Sequence, residues 1–311
     1  MLTLFSTAKP FRGHSGIIQQ NALRSWKLLH HDVEVILFGD DEGAAEAALR
    51  LGLRHEPHVE RNELGTKRLD YIFDRAQSLA RHPILCYVNC DIILLRDFVG
   101  AIRRLQSLEP KFLMVGRRWD TDVTEPIDFS AADWEERLES RALAANDQKP
   151  EYYIDYFAFS SGLYQDHIAP LVIGRVYWDN WLLWRARDRG AAVVDASHVV
   201  RAVHQNHDYG YHPKGKEGVW TDEQSRRNFQ LAGGYSHLRY ITDADKILTP
   251  QELKDNPKRL WVGLKRRSIQ TKDLLVSSLW HPIWFRVLGI TRPLRQALGL
   301  RSKAVHPRQK V

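Results

Sequence analysis

The tripeptide Asn89-Cys90-Asp91 carries the side chains with the clearest chemical potential in the chain. Apolar residues precede it at 85–88 and follow it at 92–95. A carboxylate at the carboxyl end of a buried parallel strand lies where open α/β sheets bind their ligands. Because side chains two residues apart on an extended chain point to the same side, Asp91 would bind a hard divalent cation and Asn89 a neighbouring hydroxyl. The alternative is that Asp91 only caps the helix that follows.

A second candidate site lies in the histidine-rich segment 203–212. His204 and His207 follow a short predicted strand. One imidazole beside Asp91 would complete a mixed nitrogen and oxygen site suited to Mn²⁺ or Mg²⁺. Nitrogens from His204, His207 and His212 would instead suit zinc, although neither a cysteine cluster nor an H-E-x-x-H helix accompanies them. An ordinary polar loop is the remaining alternative.

Two acidic residues among aromatic side chains are candidates for acid–base chemistry. Asp179 stands between Trp178 and Trp181 near a predicted helix start. Burial there would raise its pKa, whereas the helix N-terminus would lower it. Such a carboxylate can act as a general base toward a hydroxyl, with helix capping as its alternative role. Asp155 lies in an aromatic strand, where a carboxylate is costly unless it has partners, so it is a candidate for binding hydroxyl groups.

Charged residues near the amino-terminal strands suggest contacts with phosphate or with a base. Lys67 and Arg68 open a predicted helix, where they would hold a pyrophosphate or simply face solvent. Asp40 follows a strand and would accept hydrogen bonds from a base or sugar, or else cap the next helix. The chain contains neither G-x-G-x-x-G nor G-x-x-x-x-G-K-S/T, and its acidic segment 39–43 would repel phosphate.

The elements that would position these residues alternate between strand and helix. Predicted strands cover 2–7, 33–38, the run that ends at Asp91, 112–115, 152–159, 193–196 and 198–204. Predicted helices cover 15–29, 42–51, 66–81, 97–108, 130–143 and 177–189. Alternation of this kind is typical of a parallel sheet covered by helices. After about residue 245 the pattern loosens into amphipathic helical pieces.

The composition is that of a soluble globular protein with one unusual segment. Hydrophobic residues make up 43% of the 311-residue chain and charged residues 27%. The net charge of +7 conceals an asymmetry, because residues 254–311 hold 14 Lys and Arg against two acids. A basic segment of this kind predicts an anionic partner. The chain shows neither a signal peptide nor a membrane span, which predicts a cytoplasmic location.

The two cysteines, Cys86 and Cys90, lie on one predicted strand. At the rise of a strand their Cα atoms would be about 13 Å apart, too far for a disulfide. Free thiols fit a reducing compartment.

In their order along the chain, these motifs resemble bacterial glycosyltransferases of the GT-A fold, the nucleotide-diphospho-sugar transferase type. The residues that carry the resemblance are Phe5-Ser6-Thr7, Gln20-Asn21-Ala22, Ser25-Trp26, Leu37-Phe38-Gly39-Asp40, Tyr87-Val88-Asn89-Cys90-Asp91-Ile92, Val115-Gly116-Arg117-Arg118-Trp119-Asp120, Asp155-Tyr156-Phe157-Ala158-Phe159, Gly174-Arg175-Val176-Tyr177-Trp178-Asp179-Asn180-Trp181 and His204-Gln205-Asn206-His207-Asp208-Tyr209. The resemblance covers about residues 1–240.

The resemblance implies an α/β fold, with a GT-A-like, Rossmann-type, mostly parallel sheet flanked by helices. It predicts a catalytic domain over 1–245, divided into a nucleotide-sugar donor half over 1–118 and an acceptor half over 119–245. A basic, aromatic, helical C-terminal extension would follow over 246–311.

The resemblance also implies roles at the donor site. Thr7 and Asp40 would hold the nucleotide base. Asn89-x-Asp91 stands where the family has Asp-x-Asp, so one carboxylate is missing and Asp91 would hold Mn²⁺ or Mg²⁺ together with His204 or His207. Further donor contacts are expected from Lys67, Arg68 and Arg117.

On the acceptor side, Asp179 matches the catalytic base of inverting members, and Asp155 is a second catalytic candidate. The expected donor is a nucleotide-diphosphate sugar, above all a UDP-sugar. The expected acceptor is a sugar or a lipid-linked acceptor, in polysaccharide or glycolipid synthesis. The basic tail would place the enzyme at the inner face of an anionic membrane.

Two other functions stay open at this point. A sugar nucleotidyltransferase would share the sheet and the metal chemistry, although residues 4–16 lack its glycine-rich phosphate loop. A non-enzymatic protein that binds anions or nucleic acid through the basic tail is the other alternative, and the acidic body of the chain argues against nucleic acid.

Overall fold

The computed structural model describes residues 1–208 and 214–259. The strands are β1 (Leu2–Thr7), β2 (Val33–Phe38), β3 (Arg54–Glu56), β4 (Ile84–Val88), β5 (Ile92–Ile93), β6 (Phe112–Val115), β7 (Arg118–Thr121), β8 (Tyr156–Ser160), β9 (Ala192–Asp195), β10 (Ala202–Gln205), β11 (Lys246–Leu248) and β12 (Leu253–Asp255). The helices are α1 (Gly13–Leu28), α2 (Ala44–Leu51), α3 (Leu69–Leu79), α4 (Arg96–Leu108), α5 (Trp134–Ala145), α6 (Trp178–Asp188), α7 (Gly215–Thr221) and α8 (Glu223–Leu231).

A large central sheet organises the described chain. Its strands lie in the order β12-β11-β9-β6-β8-β4-β1-β2-β3. Strand β8 runs antiparallel to both of its neighbours, and β12 runs antiparallel to β11, whereas all other neighbours are parallel. The predicted α/β class with a mostly parallel sheet is therefore confirmed.

Two hydrophobic cores cover the two faces of this sheet. Alternate residues of a strand point to opposite faces, so Cys86 and Val88 enter one core, and Leu85 and Tyr87 enter the other. The first core contains buried residues of α1, α2 and α4, and the second contains those of α3 and α6. The helices thus form a layer on each face, and the carboxyl edge of the parallel strands stays open for polar groups.

A second, three-stranded sheet lies beside that edge. Its order is β5-β10-β7, with β10 antiparallel to β5 and parallel to β7. Buried Ile93 and Val203 pack in a separate small core with Trp134 and Leu138 of α5. This sheet joins the chain just after Asp91 to the chain around His204.

Several elements agree closely with the sequence pattern. Strands β1, β2 and β6 have the predicted bounds. The predicted apolar stripe of α1 is buried, with Ile18, Ala22 and Trp26 at 2% exposure or less. Gly52 ends α2 in the left-handed conformation, with φ at 61°, as expected of a C-terminal glycine.

Other elements differ from the prediction. The chain turns at Asn89 instead of continuing as a strand, because Ile92 N–H donates to the Asn89 carbonyl at 3.0 Å. The helices α7 and α8 were not predicted, and β11 and β12 extend the central sheet beyond residue 245. The first compact unit runs from Met1 to Arg259, and the rest of the predicted 246–311 extension lies outside the described residues.

Cys86 and Cys90 are both free and buried, as the spacing predicted. In the part of the chain that the structure describes, we find no helix with the length and apolar character needed to cross a membrane.

Candidate metal centre and active site

The candidate site lies where β4 and β10 end. Asp91 follows the last residue of β4 after a short turn, and His204 pairs in register with Ile92 of β5 and with Asp120 of β7. His207 follows β10 by two residues. Groups far apart in the sequence therefore meet at one edge of the central sheet.

Asp91, His204 and His207 form a group with the spacing of metal ligands. One ligand atom from each residue lies within 4.8 Å of the others. His207 Nε2 lies 3.1 Å from Asp91 Oδ2, and the rings of His204 and His207 have centroids 5.4 Å apart. One carboxylate with two imidazoles is a donor set that suits Mn²⁺ and other first-row divalent ions.

The Asp91 carboxylate is held in its charged form. Burial alone would raise its pKa, but the hydrogen bond with His207 and the electrostatic interactions with His204 and Lys9 outweigh burial and hold the pKa well below its usual range. Its Oδ1 atom is buried and has no hydrogen-bond partner among the described residues. A buried, charged and unpaired carboxylate oxygen is costly, and a bound cation would remove that cost.

Buried polar contacts fix the two chain segments of the site against α1. Gln205 is fully buried, and its Nε2 donates to the Ile18 carbonyl at 2.7 Å and to the Asp91 carbonyl at 3.2 Å. Asn21 Nδ2 donates to Gln205 Oε1 at 3.0 Å, and the Trp26 indole donates to the Ile92 carbonyl at 2.9 Å. Because these polar groups are hydrogen-bonded and buried, they hold the segments that carry the candidate metal ligands in fixed positions.

A buried ionic chain runs from the metal side of the site to β8. Arg118 Nε donates to Asp120 Oδ1 at 2.8 Å, and Arg118 Nη1 lies 2.9 Å from each carboxylate oxygen of Asp155. Asp155 Oδ1 also accepts a hydrogen bond from Asn89 Nδ2 at 2.7 Å. Asn89 thus faces Asp155 while Asp91 faces His207, so the expectation that both side chains line one side of an extended strand was wrong.

Asp179 lies in the first turn of α6, directly after Trp178. Burial raises the pKa of Asp179 to about 7, and the negative charge of Asp155 adds to this shift, although backbone N–H groups at the helix start oppose it. Its Oδ1 atom is buried without a hydrogen-bond partner in the described chain. A carboxyl group that titrates near neutral pH can accept a proton under physiological conditions.

Two lysines contribute positive charge near the carboxyl ends of β1 and β2. Lys67 Nζ donates to the Ala8 carbonyl at 2.9 Å and forms an ion pair with Asp41. Burial lowers the pKa of Lys67, and the contact with Asp41 opposes this shift. Lys9 is close enough to Asp91 to lower the pKa of that carboxyl. The predicted residue Thr7 ends β1 beside these groups.

Three other predicted donor residues contact neighbouring side chains or backbone groups, and none of these contacts is with Asp91, His204 or His207. Asp40 pairs with Arg61 at 2.6 Å, and the side chain of Asp40 is 70% exposed. Arg68 pairs with Glu60 at 2.6 Å and with Asp70. Arg117 Nε donates to the Lys149 carbonyl at 2.6 Å. The structure thus brings together Asp91, His204 and His207, but it does not bring these three charged residues to them.

Two charged residues of the site, Lys9 and Asp120, had no predicted role. Lys9 follows β1 without any local pattern that marks it. Asp120 did carry a signal, because Arg118 and Asp120 are two residues apart and therefore share one face of a strand. His212, the third nitrogen of the zinc alternative, lies outside the described residues.

Comparison with known proteins gives a distant likeness of fold. No protein-family model matches the sequence, and no curated protein matches it. The chain is similar to TarS 1-349 of S. aureus in complex with UDP-GlcNAc, at 10% identity and a TM-score of 0.49, over 74% of this chain and 65% of that one.

Two further solved structures are similar to the chain. One is the mannosyltransferase PcManGT from Pyrobaculum calidifontis in complex with GDP-Man and Mn²⁺, at 15% identity and a TM-score of 0.42, over 68% of this chain and 58% of that one. The other is glucosyl-3-phosphoglycerate synthase from Mycobacterium tuberculosis in complex with Mn²⁺, UDP and glucosyl-3-phosphoglycerate, at 14% identity and a TM-score of 0.42, over 75% of this chain and 80% of that one. The chain spans less than two thirds of the TarS and PcManGT chains.

Proposed function

We propose that the protein is a metal-dependent glycosyltransferase that moves a sugar from a nucleotide-diphosphate donor to a hydroxyl acceptor. The observation that carries the proposal is the convergence of Asp91, His204 and His207 at the carboxyl edge of a mostly parallel sheet. Ligands of open α/β sheets bind at this edge, and two of the motifs that resemble GT-A enzymes contribute Asp91, His204 and His207.

The donor diphosphate would lie between the metal group and the two lysines Lys9 and Lys67. A divalent cation held by Asp91, His204 and His207 would supply neutralising charge for the departing nucleoside diphosphate. Lys9 and Lys67 add positive charge on the same side. Positive groups fixed before the reaction stabilise charge that grows in the transition state at little reorganisation cost.

The acceptor hydroxyl would be activated by Asp179. Its raised pKa and its unpaired Oδ1 atom suit a general base. Asp155, the other catalytic candidate, is bound by Arg118 and Asn89. We therefore assign a structural role to Asp155. Asp179 would accept the proton of the acceptor hydroxyl in an inverting reaction.

The proposal is tested by incubating the purified protein with UDP-, GDP- and dTDP-sugars, with and without Mn²⁺, and measuring release of the nucleotide. Metal-dependent release of nucleoside diphosphate, stimulated by an acceptor sugar, is the expected result. Formation of a nucleotide sugar from a nucleoside triphosphate and a sugar phosphate would instead indicate a nucleotidyltransferase. Absence of turnover with every donor would refute the proposal.

A further inference from the structure

Asp120 stands directly behind one of the metal-ligand candidates. Its Oδ1 atom lies 3.4 Å from Nδ1 of His204. Both side chains are buried, with residue exposures of 5% and 7%. Nδ1 of His204 has no hydrogen-bond partner of good geometry within residues 1–208 and 214–259. This buried nitrogen thus lies close to a carboxylate that no catalytic role yet explains.

Asp120 is itself held firmly in place. Arg118 Nε donates to the same Oδ1 atom at 2.8 Å, and Lys149 Nζ lies 3.4 Å from Oδ2. The backbone is fixed as well, because Asp120 of β7 pairs with His204 of β10 in the small sheet. The carboxylate therefore keeps its position and its charge beside the imidazole ring.

We propose that Asp120 is the positioning residue for His204, accepting a hydrogen bond from Nδ1–H and leaving the Nε2 lone pair for a divalent cation. The inference rests on the metal site of the proposed function. Neutral imidazole carries one proton on one of its two nitrogens, so an acceptor on the Nδ1 side selects the tautomer that can ligate through Nε2. Carboxylate partners of this kind orient metal-bound histidines and raise their basicity.

Arg118 binds Asp120 in its position behind His204. Its guanidinium group contacts both Asp120 and Asp155, so a buried cation balances part of the charge of Asp120. The arrangement keeps Asp120 in the layer behind His204 and leaves Asp91 as the direct carboxylate ligand.

The test compares the Mn²⁺ affinity of the wild-type protein, two Asp120 variants and one control variant. Electron paramagnetic resonance measures the free Mn²⁺ in each titration, and the affinity follows from it. Asp120→Ala removes the acceptor, and we expect about ten- to hundredfold weaker binding. Asp120→Asn keeps an oxygen but loses the charge, so its affinity should fall between that of Asp120→Ala and that of the wild type. Asp147→Asn is the matched control, because Asp147 also pairs with Lys149, at 2.6 Å. Equal affinity of all four proteins would overturn the inference.

A second measurement covers the case in which Asp120→Ala does not fold. Nitrogen-15 chemical shifts of the metal-free wild-type protein report the histidine tautomers directly. The Nδ1–H tautomer of His204 is the expected result, and the Nε2–H tautomer would overturn the inference. Failure of the wild type to bind Mn²⁺ would reject the metal site itself, whereas normal wild-type binding with unchanged Asp120 variants would reject only the role of Asp120.

Discussion

Arg118 and Asp155 form a buried ion pair in which Arg118 Nη1 lies 2.9 Å from both carboxylate oxygens. The side chains are only 9% and 8% exposed. Removing one partner of a buried pair leaves the other charge without compensation, which typically costs about 3–5 kcal/mol. Here the loss would affect two carboxylates, because Arg118 also binds Asp120.

We therefore expect Arg118→Gln to lower the free energy of unfolding by about 3–5 kcal/mol, measured by urea denaturation at pH 7. Arg12→Gln is the control, because the pair of Arg12 with Glu42 is largely exposed, with side-chain exposures of 73% and 58%, and exposed pairs contribute about 0–1 kcal/mol. A loss below about 1 kcal/mol for Arg118→Gln would contradict the structural role given to this chain of charges.

Asp91→Ala should remove metal binding and turnover while the protein still folds. Asp91 is the anionic member of the proposed ligand group, and the charge stabilisation that a cation supplies amounts to several kcal/mol, or about a 10²- to 10³-fold loss of rate. The measurement is donor turnover together with Mn²⁺ titration, and circular dichroism checks the fold. Asp255→Ala is the control, because the side chain of Asp255 is 90% exposed. Turnover at the wild-type rate would remove Asp91 from the site.

Asp179→Asn should reduce sugar transfer by about 10²- to 10⁴-fold, the usual contribution of a general base. Binding of Mn²⁺ should not change in this variant, because Asp179 is not in the ligand group. For the wild type, kcat/KM should rise with pH through about 7, since burial raises the pKa of Asp179 to about 7 and the base must be ionised. A flat pH profile, or transfer by Asp179→Asn at the wild-type rate, would reject Asp179 as the base.

Asp97→Asn should stabilise the protein above neutral pH. Asp97 Oδ2 accepts a hydrogen bond from Arg201 N–H at 2.8 Å, whereas Oδ1 is buried without a partner in the described chain. Burial raises the pKa of Asp97 to about 6, so the wild type loses stability as pH rises through 6, and the amide variant does not.

The expected gain of Asp97→Asn is about 1–3 kcal/mol at pH 8 and close to zero at pH 4. It is measured as the difference in unfolding free energy between variant and wild type at the two pH values. Asp255→Asn should show no such dependence. An equal effect of Asp97→Asn at both pH values would show that the gain does not come from protonation.

A chain that ends at Arg259 should lose affinity for anionic vesicles. Residues 260–311 contain eleven Lys and Arg against one acid, together with Trp280, Trp284 and Phe285. Basic residues near a membrane surface contribute about 1 kcal/mol each, and aromatic residues favour headgroup depth. Sedimentation with phosphatidylserine vesicles measures the loss, and neutral vesicles are the control. Equal sedimentation of the two chains would reject a membrane role for this segment.

The strands and helices that were predicted correctly are those whose apolar pattern is visible within a short stretch of sequence. Apolar periodicity gave the bounds of β1 and β2 and the buried stripe of α1. Gly52 ends α2 because glycine readily adopts the left-handed conformation. The grouping of Asp91 with His204 and His207 was also predicted, although the sequence did not reveal that it forms through the small sheet, in which His204 of β10 pairs with Ile92 of β5.

Contacts across long sequence distances were not predictable in the same way. The direction of the Asn89 side chain depends on Asp155, whose Oδ1 atom accepts a hydrogen bond from Asn89 Nδ2 at 2.7 Å. The partners of Arg118 and the antiparallel direction of β8 depend on which strands become neighbours. A single sequence fixes the chemistry of each side chain, but the pairing of strands decides which side chains meet.

The small sheet β5-β10-β7 has a consequence for the order in which the protein matures. Asp91 and His207 are 116 residues apart, and the strands that hold them pair only after β10 has been synthesised. Amino-terminal segments emerge first during synthesis, so a nascent chain presents Asp91 long before its histidine partners exist. At the proposed site, a cation would bind only the finished fold, so its capture would mark the completion of folding and its concentration would set part of the stability of the mature protein.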